Sequence, residues 1–172
     1  MKKIYILFTA IFLINFNSVK ADSPHFIDFK YILNESDAGK KAQNFLKKKL
    51  SDGLANLKKK EAEILKEEKK IIEQKKVISA EEYKKKVVEL RKSVSSIQKE
   101  RNSLLESVAK QRSIARQELL KNLNPIVKEY MQKNNVRMVI DKKSLLMADE
   151  KLDATKDIMS LLNSKLKSIK LK

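Results

Sequence analysis

The side chains able to do chemistry are few. His25 is the only histidine, and the chain has no cysteine. No thiol is present for nucleophilic or zinc chemistry, and the lone imidazole sits in the first residues of the expected mature chain, read here as disordered. Three carboxylates, Asp28, Asp141 and Asp153, suggest a metal cluster on paper. Each falls at the end of an expected strand or helix, where aspartate is an ordinary turn or cap residue. An enzyme is therefore not expected. No catalytic, cofactor-binding or metal-binding residue is assigned, and no cofactor is implied. Function has to come from shape, surface and assembly.

The elements that would supply that shape are legible. From Leu54 to Asn124 there is no Gly and no Pro, and apolar residues recur at heptad spacing. Leu50, Leu57, Ile64, Ile71 and Ile78 form one stripe. Tyr83, Leu90, Ile97 and Leu104 form a second, with Val87, Val94 and Val108 at the companion position. Two stripes separated by a break predict a long antiparallel helical hairpin. The break carries its own signal. Ser79-Ala80-Glu81-Glu82 is an S-x-x-E capping box, flanked by Ile78 and Tyr83 at the hydrophobic-staple positions. The tip is therefore placed near 77–80, with helix one running from about Ala38 to Lys76. Helix two runs from Ala80 to about Met131, where Pro125 predicts a kink or a break. Gly39 and Gly53 predict weakening near the base of helix one.

A register follows from the stripes. Ile78 faces Tyr83, Ile71 faces Leu90, Ile64 faces Ile97 and Leu57 faces Leu104, which makes these eight residues the seam of the arm. In the companion layer Glu61 meets Arg101, so two charged residues that interrupt the apolar stripes land opposite each other. They are read as a polar layer fixing register, with the alternative that both side chains reach out to water.

The two ends of the chain frame this arm. Met1 to Ala21 reads as a secretory signal, with Lys2 and Lys3 in a basic n-region, an apolar run from Ile4 to Ile14, and Val19-Lys20-Ala21 before the cleavage point. Phe26 to Leu33 is rich in β-branched and aromatic residues and reads as a strand, followed by a turn at Asn34 to Asp37. Asn134-Asn135 ends helix two. Val136 to Asp141 and Leu145 to Ala148 read as two short strands. A final helix starting from Asp153 carries Ile158, Leu161, Leu162, Leu166 and Ile169 at helical spacing. The expected organisation is thus 1–21 signal peptide, 22–37 first strand and turn of a body, 38–133 hairpin arm, and 134–172 the rest of the body. The fold class is mainly α with a small β base. Three strands are too few to close a core alone, so Ile27, Phe29, Val136, Met138 and Ile140 are assigned to a body and oligomer core.

Charge completes the picture. The formal net charge is +17 and the isoelectric point about 9.9. Such a chain attracts acidic partners, and anionic lipid is one candidate. Specific nucleic-acid recognition is not expected. The lysines are spread around the helices, no aromatic stacking platform exists, and the signal directs the chain out of the cytoplasm. Export without cysteine suits a bacterial envelope.

The ends also carry recognisable wording. Ile27-Asp28-Phe29-Lys30-Tyr31-Ile32-Leu33-Asn34-Glu35-Ser36-Asp37-Ala38-Gly39-Lys40 resembles the V-D…S-x-x-G-K opening of the Skp/OmpH family, with Ile27 in place of the commoner Val. Val136-Arg137-Met138-Val139-Ile140-Asp141-Lys142, followed by Leu152-Asp153-Ala154-Thr155, is similar to that family's closing strands and the D-x-T start of its last helix. The resemblance implies a homotrimeric, ATP-independent periplasmic holdase whose hairpins hang from a β-rich body and enclose unfolded outer-membrane proteins. Cleavage after Ala21 is expected from the signal itself, with Val19 and Ala21 at −3 and −1. On the holdase reading Leu65, Ile72, Val88 and Leu105, beside the seam, are candidate client contacts, the alternative being that they only widen the seam. Lys84, Lys85 and Lys86 are candidates through their charge. A structural envelope spacer, or a coiled-coil adaptor without chaperone activity, is the competing reading, and a coiled coil by itself does not exclude it.

Overall fold

The structure is a computed structural model that describes residues 23–172, so the expected signal peptide lies outside the described residues. Strand β1 is only His25–Ile27, which places His25 in ordered structure and not in a disordered start. Asp28 ends the strand, and its carboxylate accepts a hydrogen bond from the Tyr31 amide at 2.8 Å, capping helix α1, Phe29–Glu35. The expected strand through Leu33 is thus corrected. Phe29 to Leu33 has the composition of a strand, but a side-chain cap begins a helix there and packing completes it. Ile32 is fully buried against Ile158 and Leu162, and such tertiary burial overrides local propensity.

Ser36 turns the chain. Its amide closes α1 on the Ile32 carbonyl at 3.1 Å, and its buried hydroxyl accepts from the Gly39 amide at 3.2 Å, capping helix α2, Asp37–Gln74. Gly39 is required here by close approach, since an added Cβ would lie 2.1 Å from the Leu33 carbonyl oxygen. The S-x-x-G wording is therefore one capping device plus the space it needs. Gly53 likewise lies inside α2, against the Leu104 side chain.

Helix α3, Ala80–Lys133, starts where the capping box places it, with the Ser79 hydroxyl accepting from the Glu82 amide at 3.1 Å. It runs unbroken through Pro125, where the sequence predicts a kink or a break. Pro125 removes one backbone donor, at a cost of about 3 kcal/mol. Leu119, Leu123 and Ile126 are buried on both sides of it and hold the helix in place. Asn135, at φ 54°, ends α3 in the left-handed conformation, and the Val136 amide donates back to the Met131 carbonyl at 2.9 Å.

Strand β2 is Val139–Asp141 and pairs in parallel with β1, Phe26 opposite Ile140. Only a single bridge, Phe26 to Asp153, extends this sheet. Val136 to Met138 precedes the strand. Leu145 to Ala148, expected as another strand, is a loop between two 3-10 turns, Lys142–Ser144 and Glu150–Leu152. Leu146 and Met147 are fully exposed, and among the described residues the sheet holds only β1 and β2. Helix α4, Thr155–Lys165, closes the body.

The body core is therefore helical, built on a two-stranded sheet. Ile32 of α1, Leu123 and Ile126 of α3, and Ile158 and Leu162 of α4 meet in it. Ile27 joins this cluster, Val136 is buried, and Phe29 and Ile140 are half-buried. Met138 is 57% exposed and does not belong to the core of one chain. Its carbonyl is the part used, accepting from the His25 amide at 3.0 Å.

Candidate binding surface

Helices α2 and α3 lie against each other as one arm. Next to the turn, the Lys75 ammonium stands 5.7 Å from the centre of the Tyr83 ring. Farther out, Lys60 pairs with Glu100 at 2.6 Å, and Gly53 abuts Leu104. Positions fall on α2 as they rise on α3, so the two helices run antiparallel. Leu57, Ile71 and Ile97 are buried along the contact, and Ile64, Ile78, Tyr83, Leu90 and Leu104 are half-buried. A two-helix contact of this width cannot hide more, because solvent reaches it from two sides.

The structure brings Glu61 and Arg101 together as an ion pair, with the Arg101 guanidinium donating to the Glu61 carboxylate. The Arg101 Nε is buried without an acceptor. The guanidinium is thus held at the seam and its long stem covers apolar surface, so it is not simply extended into water.

Exposed apolar side chains mark the outside of the arm. Leu65 is 58% exposed, Ile72 59%, Val88 42% and Leu105 47%, and Leu54 and Val94 are also exposed. Lys84 and Lys85 are exposed beside the tip and Lys86 is half-buried. Leu54 and Val94 are not among the candidate client contacts read from the sequence, which gives Val94 a companion position in the seam. They occupy seam positions, and only the packing shows that the seam leaves them open.

The body has a second exposed apolar feature, the Leu145 to Ala148 loop, which with Phe26 lines an open hollow. Lys142 stands over the Phe26 ring, 5.8 Å from its centre. Among the described residues no three His, Cys, Asp or Glu side chains are placed to hold a metal ion. Each suspected aspartate has a structural use. Asp28 caps α1, Asp141 accepts from the Lys143 amide at 3.2 Å, and Asp153 accepts from the Thr155 amide at 2.9 Å. Burial pushes the Asp153 carboxyl upward, but the Thr155 hydrogen bonds and the Lys142 charge outweigh it and hold the group below its ordinary range. His25 is within 3.2 Å of the Tyr130 hydroxyl, and burial raises the tyrosine's pKa. Among the described residues, no helix is long and apolar enough to cross a membrane.

The comparisons with known proteins agree with this architecture. The family OmpH, outer membrane protein (OmpH-like), matches residues 25–162. No curated protein sequence matches the chain. Among solved structures, a Caulobacter crescentus CB15 protein named as an OmpH-like outer membrane chaperone superposes with a TM-score of 0.82. The two share 16% sequence identity, over 87% of this chain and 90% of that one, so the likeness is one of fold.

Proposed function

The chain belongs to the OmpH-like outer membrane protein family, and from that premise we propose that it is an ATP-independent periplasmic holdase for unfolded outer-membrane proteins. The observation that carries this reading is the arm. It is long, cationic and studded with exposed Leu65, Ile72, Val88 and Leu105, while the residues suited to chemistry are spent on caps. Many weak contacts along such a surface can hold a chain reversibly without chemical energy. Its charge gathers acidic clients from within about a Debye length, ~8 Å at physiological salt. No catalytic step is assigned to the protein.

The working form on this reading is a homotrimer, with three arms around a shared cavity. Support comes from the body. The two-stranded sheet is met on its β1 edge only by the single Phe26–Asp153 bridge, its β2 edge is unpaired among the described residues, and Leu146 and Met147 are fully exposed. Unpaired edges and an exposed apolar loop favour pairing with other copies. Export by cleavage after Ala21 and a secondary affinity for anionic lipid belong to the same proposal.

The test is suppression of aggregation. A urea-unfolded β-barrel protein is diluted with and without the mature chain, and light scattering follows both turbidity and the chaperone's own mass. A holdase trimer keeps the barrel protein soluble at near-stoichiometric amounts. A stable monomer at micromolar concentration would remove the cage, and unchanged aggregation would put the envelope spacer ahead.

A further inference from the structure

We infer that the arm is two-sided, and that only one of its sides binds an unfolded acidic chain. This deepens the holdase reading and rests on it. The basis is the placement of residues around the antiparallel seam. Leu57, Ile64, Ile71 and Tyr83, Leu90, Ile97, Leu104 take heptad position d. Leu54, Glu61, Glu68 and Val87, Val94, Arg101, Val108 then take position a. In an antiparallel pair the e positions of both helices share one side and the g positions share the other, with b beyond e and c beyond g.

Two contacts fix this assignment. Glu61 and Arg101, both at a, meet in the seam. Lys60 and Glu100, both at g, pair at 2.6 Å on one flank. A shallow groove on that same flank is lined by Gly53, Asn56, Lys60, Glu63, Glu100 and Leu104. These residues sit at g, c and d, with Leu57 of the seam at the floor, so the groove opens on the g side, and Asn56, Lys60, Glu63 and Glu100 give it a polar rim.

Nearer the body Phe45 and Ile114 are exposed at f and g, but in the outer arm the exposed apolar residues lie on the other side. Between Ser51 and Gln74 and between Ala80 and Arg112 they are Leu54, Leu65, Ile72, Val88, Val94 and Leu105. Each occupies a, e or b. They also fall at matching heights: Leu54 with Leu105, Leu65 with Val94, and Ile72 with Val88. The three apolar rungs are separated by roughly 16 and 10 Å at 1.5 Å per helical residue. That is about five and three residues of extended chain at 3.3 Å each.

Charge segregates the same way. The e and b positions carry Lys58, Lys69, Lys84, Arg91 and Arg112 against one carboxylate, Glu81. The g and c positions carry Lys60, Lys70, Lys86 and Lys110 against Glu63, Glu67, Glu82, Glu89 and Glu100. The apolar rungs thus stand in a basic field, while the opposite side is close to neutral and rich in serine. An acidic, extended, partly apolar chain finds both charge and apolar contact on the first side and neither on the second.

The absence of cysteine makes the test clean. Single cysteines are introduced at the same height on the two sides, Ala62→Cys and Gln98→Cys on the first, Glu63→Cys and Ser96→Cys on the second. All four positions are exposed, so folding is not at stake. Each variant of the mature full chain carries a thiol-linked photocrosslinker and is irradiated with a urea-diluted acidic β-barrel protein. Crosslinking from positions 62 and 98 should exceed that from 63 and 96 by about fivefold or more, as expected where contact is confined to one side. Equal or reversed yields, in variants that still suppress aggregation, overturn the two-sided arm and leave the holdase standing. Failure of the unlabelled chain to suppress aggregation overturns both.

Discussion

The Thr155 hydroxyl accepts a hydrogen bond from the Asp28 amide at 2.8 Å, joining the start of the last helix to the start of the first. The same threonine donates its own amide to Asp153, and the Ala154 amide donates to the Phe26 carbonyl at 2.9 Å. A three-residue segment, Asp153 to Thr155, therefore ties β1, α1 and α4 into one unit at the body. This gives the D-x-T wording a physical meaning. It is a clasp for the two chain ends.

Thr155→Val should loosen that clasp. The substitution keeps the shape and removes the acceptor, leaving the Asp28 amide without its partner in a partly buried place. A loss of about 1–3 kcal/mol is expected. Thr155→Ser, which keeps the hydroxyl, should lose less. Urea denaturation followed by circular dichroism distinguishes the two, and a stable Thr155→Val beside a weakened Thr155→Ser would show that the methyl group, not the hydroxyl, is what matters.

The two glycines should respond differently to the same change. At Gly39 an alanine Cβ would meet a backbone carbonyl at 2.1 Å, which cannot rotate away. Gly39→Ala should cost about 3 kcal/mol or more. At Gly53 the clash is with the far end of Leu104, a flexible side chain. Turning it aside offsets a gain in helix propensity of about 1 kcal/mol, so Gly53→Ala should be near neutral. Melting temperatures of the two variants measure the contrast.

How much of this was readable beforehand depends on how local each signal is. The tip was legible because Ser79 and Glu82 form a cap within one turn. The arm was legible because a heptad repeats its message many times. The first strand was misread beyond Ile27 because Phe29 to Leu33 has β composition, and the deciding contacts come from Ile158 and Leu162, far along the chain. The break that Pro125 offers does not occur, for the same reason. Its helix is held by Leu123 and Ile126, whose partners lie on other elements. Of the candidate surface, Leu65, Ile72, Val88 and Leu105 could be nominated from spacing. Leu54 and Val94 could not, since heptad position alone predicts burial for them. Leu145 to Ala148 has the apolar content of a strand, but that content says nothing about whether a partner strand is available.

Asp153 makes the body sensitive to acid. Its carboxyl is held below the ordinary 3.8 by the Thr155 hydrogen bonds and Lys142, against the upward push of burial. A group depressed in the folded state contributes stability that is fully present above its unfolded value. That contribution is lost as pH falls from about 3.8 through the lower folded value. Stability measured by urea titration should therefore drop across this window. Asp153→Asn should be less stable at neutral pH and should show a shallower acid limb. A variant limb as steep as the wild type's would assign the acid sensitivity to other carboxylates.

Glu61 and Arg101 should couple. Both side chains are more than a third exposed, so screening limits their attraction. Glu61→Lys alone places two cations at one seam level and should cost on the order of 1 kcal/mol. Reversing both charges, Glu61→Lys with Arg101→Glu, should recover most of that loss in a double-mutant cycle. Additive effects would mean that each residue acts through water, not through its partner.

Client capture should divide into a salt-sensitive and a salt-resistant part. The basic excess on the arm is distributed, so a single Lys→Ala should change little. Replacing Lys84, Lys85 and Lys86 together by glutamine should slow association, with a smaller effect on release. Raising salt should imitate that block for acidic clients, because the Debye length falls to ~3 Å at 1 M. What survives at high salt should be apolar contact. Serine at Leu65, Ile72, Val88 and Leu105 together should remove it, and since all four are exposed the arm should still fold. Stopped-flow capture of a fluorescent unfolded barrel protein separates the two rates. Capture that is indifferent to salt and intact in the quadruple variant would mean that neither charge nor these apolar rungs hold the client, and the arm would then be a spacer.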